Sequence, residues 1–155
     1  LPNRREFYER GRRAFAQAQR QAAPFTAVFI DLDSFKEVND RMGHEAGDKL
    51  LSTVAAVMRA HVRASDIPGR LGGDEFALLL ANMDTSAATV YVERLRQKLL
   101  AGMRERGWSV TFSIGVACYE VAPQDFDHAL AQADALMYEV KTGGRDRVLQ
   151  RVFCA

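Results

Sequence analysis

The stretch from Arg70 to Leu80, RLGGDEFALLL, restricts the possible folds of this chain more than any other. Two glycines and two acids, Gly72-Gly73-Asp74-Glu75, split what would otherwise be one apolar run. A tight reversal between two short strands, GRL and EFALLL, satisfies that pattern, because glycine turns without steric cost. The paired acids are surplus to a turn. Either the hairpin tip is simply solvated, or the glycines let the backbone approach something bulky that needs carboxylates nearby.

The remaining strands read from branched and aromatic runs: FTAVFIDLD over 25–33, WSVTFSIGVACY over 108–119, and RDRVLQRV as a short edge strand. In the second of these, Val110, Phe112, Ile114, Val116 and Cys118 alternate with small or polar residues that can lie beneath helices or a ligand. Helical spacing places Phe7, Gly11, Phe15 and Ala18 on one face of a helix over about 4–20, with Asn3 as its cap. Leu50, Val54, Val57, Met58 and His61 mark a second helix from Glu45 to about Val62. A third runs from Asp84 or Thr85 to about 100 with Ala87, Tyr91, Leu95 and Leu99 inward, and a fourth from about Asp125 to Val140, stopped by KTGG. Asn39 to Gly43 reads as a turn and RASDIPGR as a connector. With a short helix between the first strand and the helix from Glu45, this order predicts an α+β domain over 1–155, with helices covering one side of a mixed sheet.

A chain of 155 residues suffices for one substantial core. Its 21 basic and 20 acidic residues leave a formal charge of +1, which excludes a large non-specific attraction to nucleic acid or an anionic membrane surface. Phosphate binding would have to come from local placement. Cys118 and Cys154 form neither a disulfide framework nor a metal cluster, and suit a reducing interior. No apolar run approaches the roughly 20 residues that span a bilayer. The start at LPNRREF, without methionine, is expected of a piece of a longer protein, so a cytoplasmic domain is expected here, with any membrane anchor supplied by other segments.

Asp31 and Asp33 lie two apart at a strand end and so point to the same side. Uncompensated, they repel and raise a pKa; a bound cation resolves the conflict, and oxygen ligands of this kind suit Mg²⁺ with substrate phosphates. If the hairpin brings Asp74 and Glu75 against that strand end, three or four acids converge. Asp33 alone reads equally well as a water-facing acid capping the next helix. Lys141 and Arg145 flank a glycine pair in KTGGR, and Lys36 follows the first acids by one turn, although the helix dipole alone favours Lys141 where it stands. Neither GxxxxGK[ST] nor GxGxxG occurs. Together these residues point to divalent-metal chemistry on a nucleotide or phosphate.

LPNRREF, FIDLDSFKEVNDRMGHEAGD, RLGGDEFALLL, VTFSIGVA and ADALMYEVKTGGRDRV together resemble the GGDEF domain of bacterial diguanylate cyclases, in family order and over nearly the whole chain. The resemblance implies a mainly antiparallel sheet akin to nucleotidyl cyclases and polymerase palm domains, with a ferredoxin-like core. It implies condensation of two GTP into cyclic di-GMP with release of pyrophosphate. Asp31, the Leu32 carbonyl and Asp74 would hold Mg²⁺ (or Mn²⁺), and Glu75 would organise the attacking hydroxyl or the metals. Asn39 and Asp48 would read guanine. Phe35 and Lys36 would lie at the base and phosphate sides, Lys36 with a part in catalysis, and Gly72 and Gly73 would make room for nucleotide. Lys141 and Arg145 would neutralise the outer phosphates. Arg63 and Asp66, with Arg70 nearby, match an Arg-x-x-Asp site where the product inhibits, Asp66 accepting from the base; composition alone reads them as a solvated helix end. Two departures stand out: Ser34 replaces the usual His and could cap the following helix, and Asp146 replaces the usual Asn and adds negative charge near a phosphate ligand. Catalysis would require a homodimer, and flanking sensor or effector domains are implied. The alternative is a silent domain that binds GTP or cyclic di-GMP and regulates an attached module such as a phosphodiesterase; the retained acids at 31, 74 and 75 argue against it.

Overall fold

The computed structural model describes residues 1–153, so Cys154 lies outside the described residues. Five strands form one sheet in the order β2-β3-β1-β4-β5: β1 Phe25–Asp33, β2 Ile67–Arg70, β3 Glu75–Ala81, β4 Thr111–Tyr119 and β5 Arg147–Phe153. The pairs β1 with β3, β1 with β4 and β2 with β3 are antiparallel, and only β5 runs parallel to its neighbour. Among the described residues five helices accompany them: α1 Arg4–Gln21, α2 Phe35–Met42, α3 His44–His61, α4 Thr85–Glu105 and α5 Phe126–Thr142. Among the described residues no helix is long and apolar enough to cross a membrane.

Helices cover both faces of the sheet, not one. Val28, Ile30 and Leu32 of β1 pack with Val38, Leu50, Val54 and Leu95 of α2, α3 and α4. Phe25, Ala27 and Phe29 pack on the opposite face with Phe7 and Phe15 of α1 and Phe126 of α5. The expectation of one-sided cover overlooked that β1 is buried at nearly every position, a pattern of strands enclosed on both faces. On β4, Gly115 lets α5 approach the strand: a Cβ there would overlap the backbone of Ala133 and Met137.

Asn3 caps α1 as expected, its Oδ1 accepting from the Glu6 N–H at 2.9 Å. The segment read as a turn at Asn39 to Gly43 is the second half of α2, and Gly43 at φ 88° separates it from α3. Ser34 stands at the start of α2 in left-handed backbone (φ 66°) and its side chain makes no capping bond, contrary to expectation. Strand β4 begins at Thr111, not Trp108, because the Trp108 N–H is committed to the Met103 carbonyl at the end of α4.

Candidate active site

The end of β1 lies between the hairpin and the C-terminal end of α5. In register, Asp31 sits opposite Glu75 on one side and Ser113 on the other. The Leu32 N–H donates to the Asp74 carbonyl at 3.3 Å, which ties the hairpin tip to the strand end. Lys141, from the last turn of α5, reaches across: its Nζ donates to the Leu32 carbonyl and to Asp33 Oδ1, both at 2.9 Å, and lies 3.6 Å from Asp31 Oδ2. Both aspartates therefore share one side of the strand, as their spacing predicts.

Their environments differ. Asp33 is buried and accepts from Thr111 Oγ1 and Ser113 Oγ, each at 2.7 Å, from Lys141, and from the Asp146 N–H at 3.1 Å. Burial pushes its pKa up, but the bonds from Lys141, Ser113 and Thr111 outweigh it and hold the carboxyl below its ordinary value. Asp33 is thus no water-facing helix cap; it anchors Lys141 and the backbone beside Arg145. Asp31 Oδ1 is buried without any hydrogen-bond partner among the described residues. Burial first, then the negative charges of Asp74 and Glu75, raise its pKa to about 6 against the pull of Lys141. An orphaned carboxylate oxygen beside two further acids is the chemistry of a cation site.

A linkage effect follows. Between the ordinary aspartate value of 3.8 and about 6, the folded chain holds a proton on Asp31 that the unfolded chain has lost. Without metal, stability should therefore fall as pH rises through that window, by on the order of 3 kcal/mol, and stay lost above it. Asp33 acts oppositely, its contribution present above 3.8 and lost as pH falls through its depressed folded value. Urea unfolding of wild type and Asp31→Asn in EDTA from pH 4 to 7.5 checks this: the fall should disappear in the variant.

Among the described residues no three His, Cys, Asp or Glu side chains stand close enough to hold one ion, so the expected convergence is partial. The donors still fit Mg²⁺ or Mn²⁺, which commonly takes one or two protein carboxylates beside substrate phosphates. Asp31 offers a free buried oxygen, and Asp74 and Glu75 are half-exposed at the hairpin. Gly72 and Gly73 have no positive φ, and a Cβ would meet only Glu75 Oε2 at 3.9 Å on the first and nothing on the second. The turn itself does not demand glycine here; the open space beside it suits an incoming molecule.

The other expected residues divide into groups. Asp48 is exposed and lines a cavity of about 340 Å³ with Leu1, Leu51, Ser52, Ala55 and Arg70. Asn39 is half-buried on α2, its amide lying against Gly47, where any Cβ would collide with it. Phe35 is half-buried and Lys36 exposed in the first turn of α2. Arg145 is exposed with φ 64°, its N–H closing on the Val140 carbonyl. The Asp146 charge is matched by Arg96, whose Nη2 donates to Oδ1 at 2.9 Å. Arg70 does not join Arg63 and Asp66: its guanidinium donates to the carbonyls of Gly72 and Gly73, bracing the hairpin. Arg63 and Asp66 form their own ion pair at 2.6 Å.

The family model for "Diguanylate cyclase, GGDEF domain" matches residues 1–147. Over 148 residues the chain is 40% identical to the bifunctional diguanylate cyclase/cyclic di-GMP phosphodiesterase MucR of Pseudomonas aeruginosa, covering 94% of this chain and 22% of that protein. It is 38% identical over 152 residues to the diguanylate cyclase TpbB of the same species, covering 94% of this chain and 34% of that protein. The chain thus spans about a third or less of the curated relatives it matches. Among solved structures, the coiled coil and GGDEF domain of DgcB from Caulobacter crescentus in complex with c-di-GMP superposes with a TM-score of 0.88 at 29% identity, covering 97% of this chain and 82% of that one.

Proposed function

Because the chain belongs to the GGDEF domain family of diguanylate cyclases, we propose that it is a GGDEF domain of a longer protein that condenses two GTP into cyclic di-GMP and two pyrophosphates. The observation that carries this reading is the buried Asp31 Oδ1, without a partner among the described residues, on a carboxyl raised by the charges of Asp74 and Glu75 beside the open glycine hairpin.

In each half-reaction the 3′-hydroxyl of one GTP attacks the α-phosphorus of the other. A new P–O bond forms, the bond from the α-phosphorus to the pyrophosphate oxygen breaks, and the hydroxyl proton is released. Asp31, the Leu32 carbonyl and Asp74 would hold Mg²⁺ or Mn²⁺, which when bound stabilises charge developing on the transferred phosphoryl group. Glu75 orients the attacking hydroxyl. The α2 N-terminus offers the amides of Phe35 and Lys36 to phosphate oxygens, and the Lys36 ammonium is exposed beside them. Lys141, fixed by Asp33, and the exposed Arg145 supply positive charge for the outer phosphates. With its own charge matched by Arg96, Asp146 opposes this less than its sequence position implies. Asn39 and Asp48 read guanine, Asp48 accepting from N–H groups that adenine does not present.

Each chain holds one GTP, and a twofold product needs two such sites face to face, so the working unit is a homodimer. Product bound at Arg63 would slow turnover, and flanking domains would set the dimer geometry. The test is cyclic di-GMP formation from GTP and Mg²⁺ across a range of protein concentrations. Rate per chain should rise with concentration, and ATP should give no comparable product; equal use of ATP, or no product at any concentration, would overturn the reading.

A further inference from the structure

The turn that carries Arg145 is held from α4, a helix that contributes no group to the proposed chemistry. Gly144, Arg145 and Asp146 take positive φ in succession, at 125°, 64° and 50°. Left-handed backbone is unfavourable for residues other than glycine, and two such residues side by side persist only where surrounding bonds fix them. Within the C-terminal segment, the Arg145 N–H donates to the Val140 carbonyl at 2.8 Å and Arg147 Nη2 to the Gly143 carbonyl at 2.7 Å. From β1, Asp33 Oδ2 accepts from the Asp146 N–H at 3.1 Å. The hold from the other side is Arg96 of α4, 50 residues earlier, whose Nη2 donates to the Asp146 carbonyl at 3.1 Å and to Asp146 Oδ1 at 2.9 Å.

Arg96 is not an ordinary surface partner. Its side chain is 15% exposed, its Nη1 donates to Glu93 Oε1 at 3.1 Å, and its Nε is buried without a partner among the described residues. Enclosing a guanidinium with one donor idle is costly, so packing alone gives no reason for an arginine here. We propose that Arg96 is a positioning residue for the outer phosphates: it fixes the left-handed turn that presents Arg145 and cancels the Asp146 charge beside it. This rests on the reading of Lys141 and Arg145 as ligands of those phosphates. The Asp146 N–H also bonds the carboxyl that anchors Lys141, so both cations depend on one turn. Without Arg96 the turn loses two bonds, and an unmatched carboxylate stands one residue from Arg145, where it repels a triphosphate.

The test uses Arg96→Met, which keeps an apolar stem and removes the charge and its donors. It is compared with Asp146→Asn, which removes the acid but tolerates left-handed backbone, with the double variant and with the wild type. Initial rates of cyclic di-GMP formation at fixed free Mg²⁺ give KM for GTP and the competitive inhibition constants of inorganic pyrophosphate and of GMP, which has no outer phosphates. In Arg96→Met, KM and the pyrophosphate constant should rise about tenfold, the size of a hydrogen bond to a charged group, while the GMP constant should match that of the wild type. In the double variant part of that loss should be recovered, because no carboxylate is left unmatched. Urea midpoints establish that each variant is folded; if Arg96→Met is not, Arg96→Gln is read in its place against the same outcomes. If both inhibition constants match the wild type, or both rise alike, the positioning role is overturned. A double variant no better than Arg96→Met would overturn the cancelling of charge. If pyrophosphate does not compete with GTP in the wild type, the reading of Lys141 and Arg145 fails first, and the role of Arg96 with it.

Discussion

Asp31→Ala and Asp74→Ala should each lower cyclic di-GMP formation by about a hundredfold or more while leaving the fold as stable as before or more so. The two halves of this expectation share one cause. Asp31 carries a buried oxygen with no donor and a pKa raised to about 6 by burial and by neighbouring acids, so in the unliganded chain it is a strained charge. Removing it relieves repulsion. Removing it also takes away a group proposed to hold the ion against the triphosphate, and no other described carboxylate has a free buried oxygen in its place. Turnover and thermal unfolding measured on the same preparations decide the matter: wild-type turnover in Asp74→Ala would remove the metal role, and a large loss of melting temperature in Asp31→Ala would make that carboxylate a structural one.

A second large effect should separate a glycine of β4 from one in the hairpin turn. Gly115→Val should cost about 3 kcal/mol or more, because its side chain would enter the backbone of α5 at Ala133 and Met137, which has no flexible end to move aside. Displacing α5 also displaces Lys141, so activity should fall with stability. Gly73→Ala should do the reverse: it meets no neighbour and needs no unusual φ, so stability should stay within about 0.5 kcal/mol, yet turnover should drop if substrate approaches that face of the hairpin. Urea midpoints and GTP turnover for both variants form the check. Full activity in Gly73→Ala would leave the open space without a role.

What the sequence made legible is what local periodicity encodes. The Asn3 cap, the apolar stripe of α1 and the alternation in β4 are written within a few residues of one another, and the structure places them accordingly; on α4 the buried stripe runs through Ala88, Val92, Leu95 and Leu99, so Ala87, expected inward, is exposed and Tyr91 is half-buried. The hairpin was readable for the same reason. The short α2 was readable only in part: a short helix is expected after Asp33 and is found, but its second half, Asn39 to Met42, reads as a turn because eight residues give too little periodicity. Asp33 was misjudged because its partners lie far off in sequence: Thr111 is 78 residues away and Lys141 is 108. Asp66 and Arg70 were grouped by proximity along the chain, whereas Tyr91, 25 residues beyond, completes the first, and the hairpin carbonyls engage the second. Local chemistry could name the acids and bases of the site; only tertiary contact could say which were free.

The sheet order has a consequence for how this chain is made. Strand β1 is central, but both strands that flank it, β3 and β4, lie later in the chain, and α5 with Lys141 later still. On the ribosome, FTAVFI emerges early as an uncharged, β-favouring segment with two open edges, the composition of an aggregation-prone window. It stays open on one side until β4 has been synthesised. The acids of the site are spread over β1 and the hairpin, while their counter-charge arrives on the last helix. Folding of this domain is therefore a late, long-range closure, and a nascent chain halted before β4 would present β1 with an unpaired edge to chaperones or to other chains.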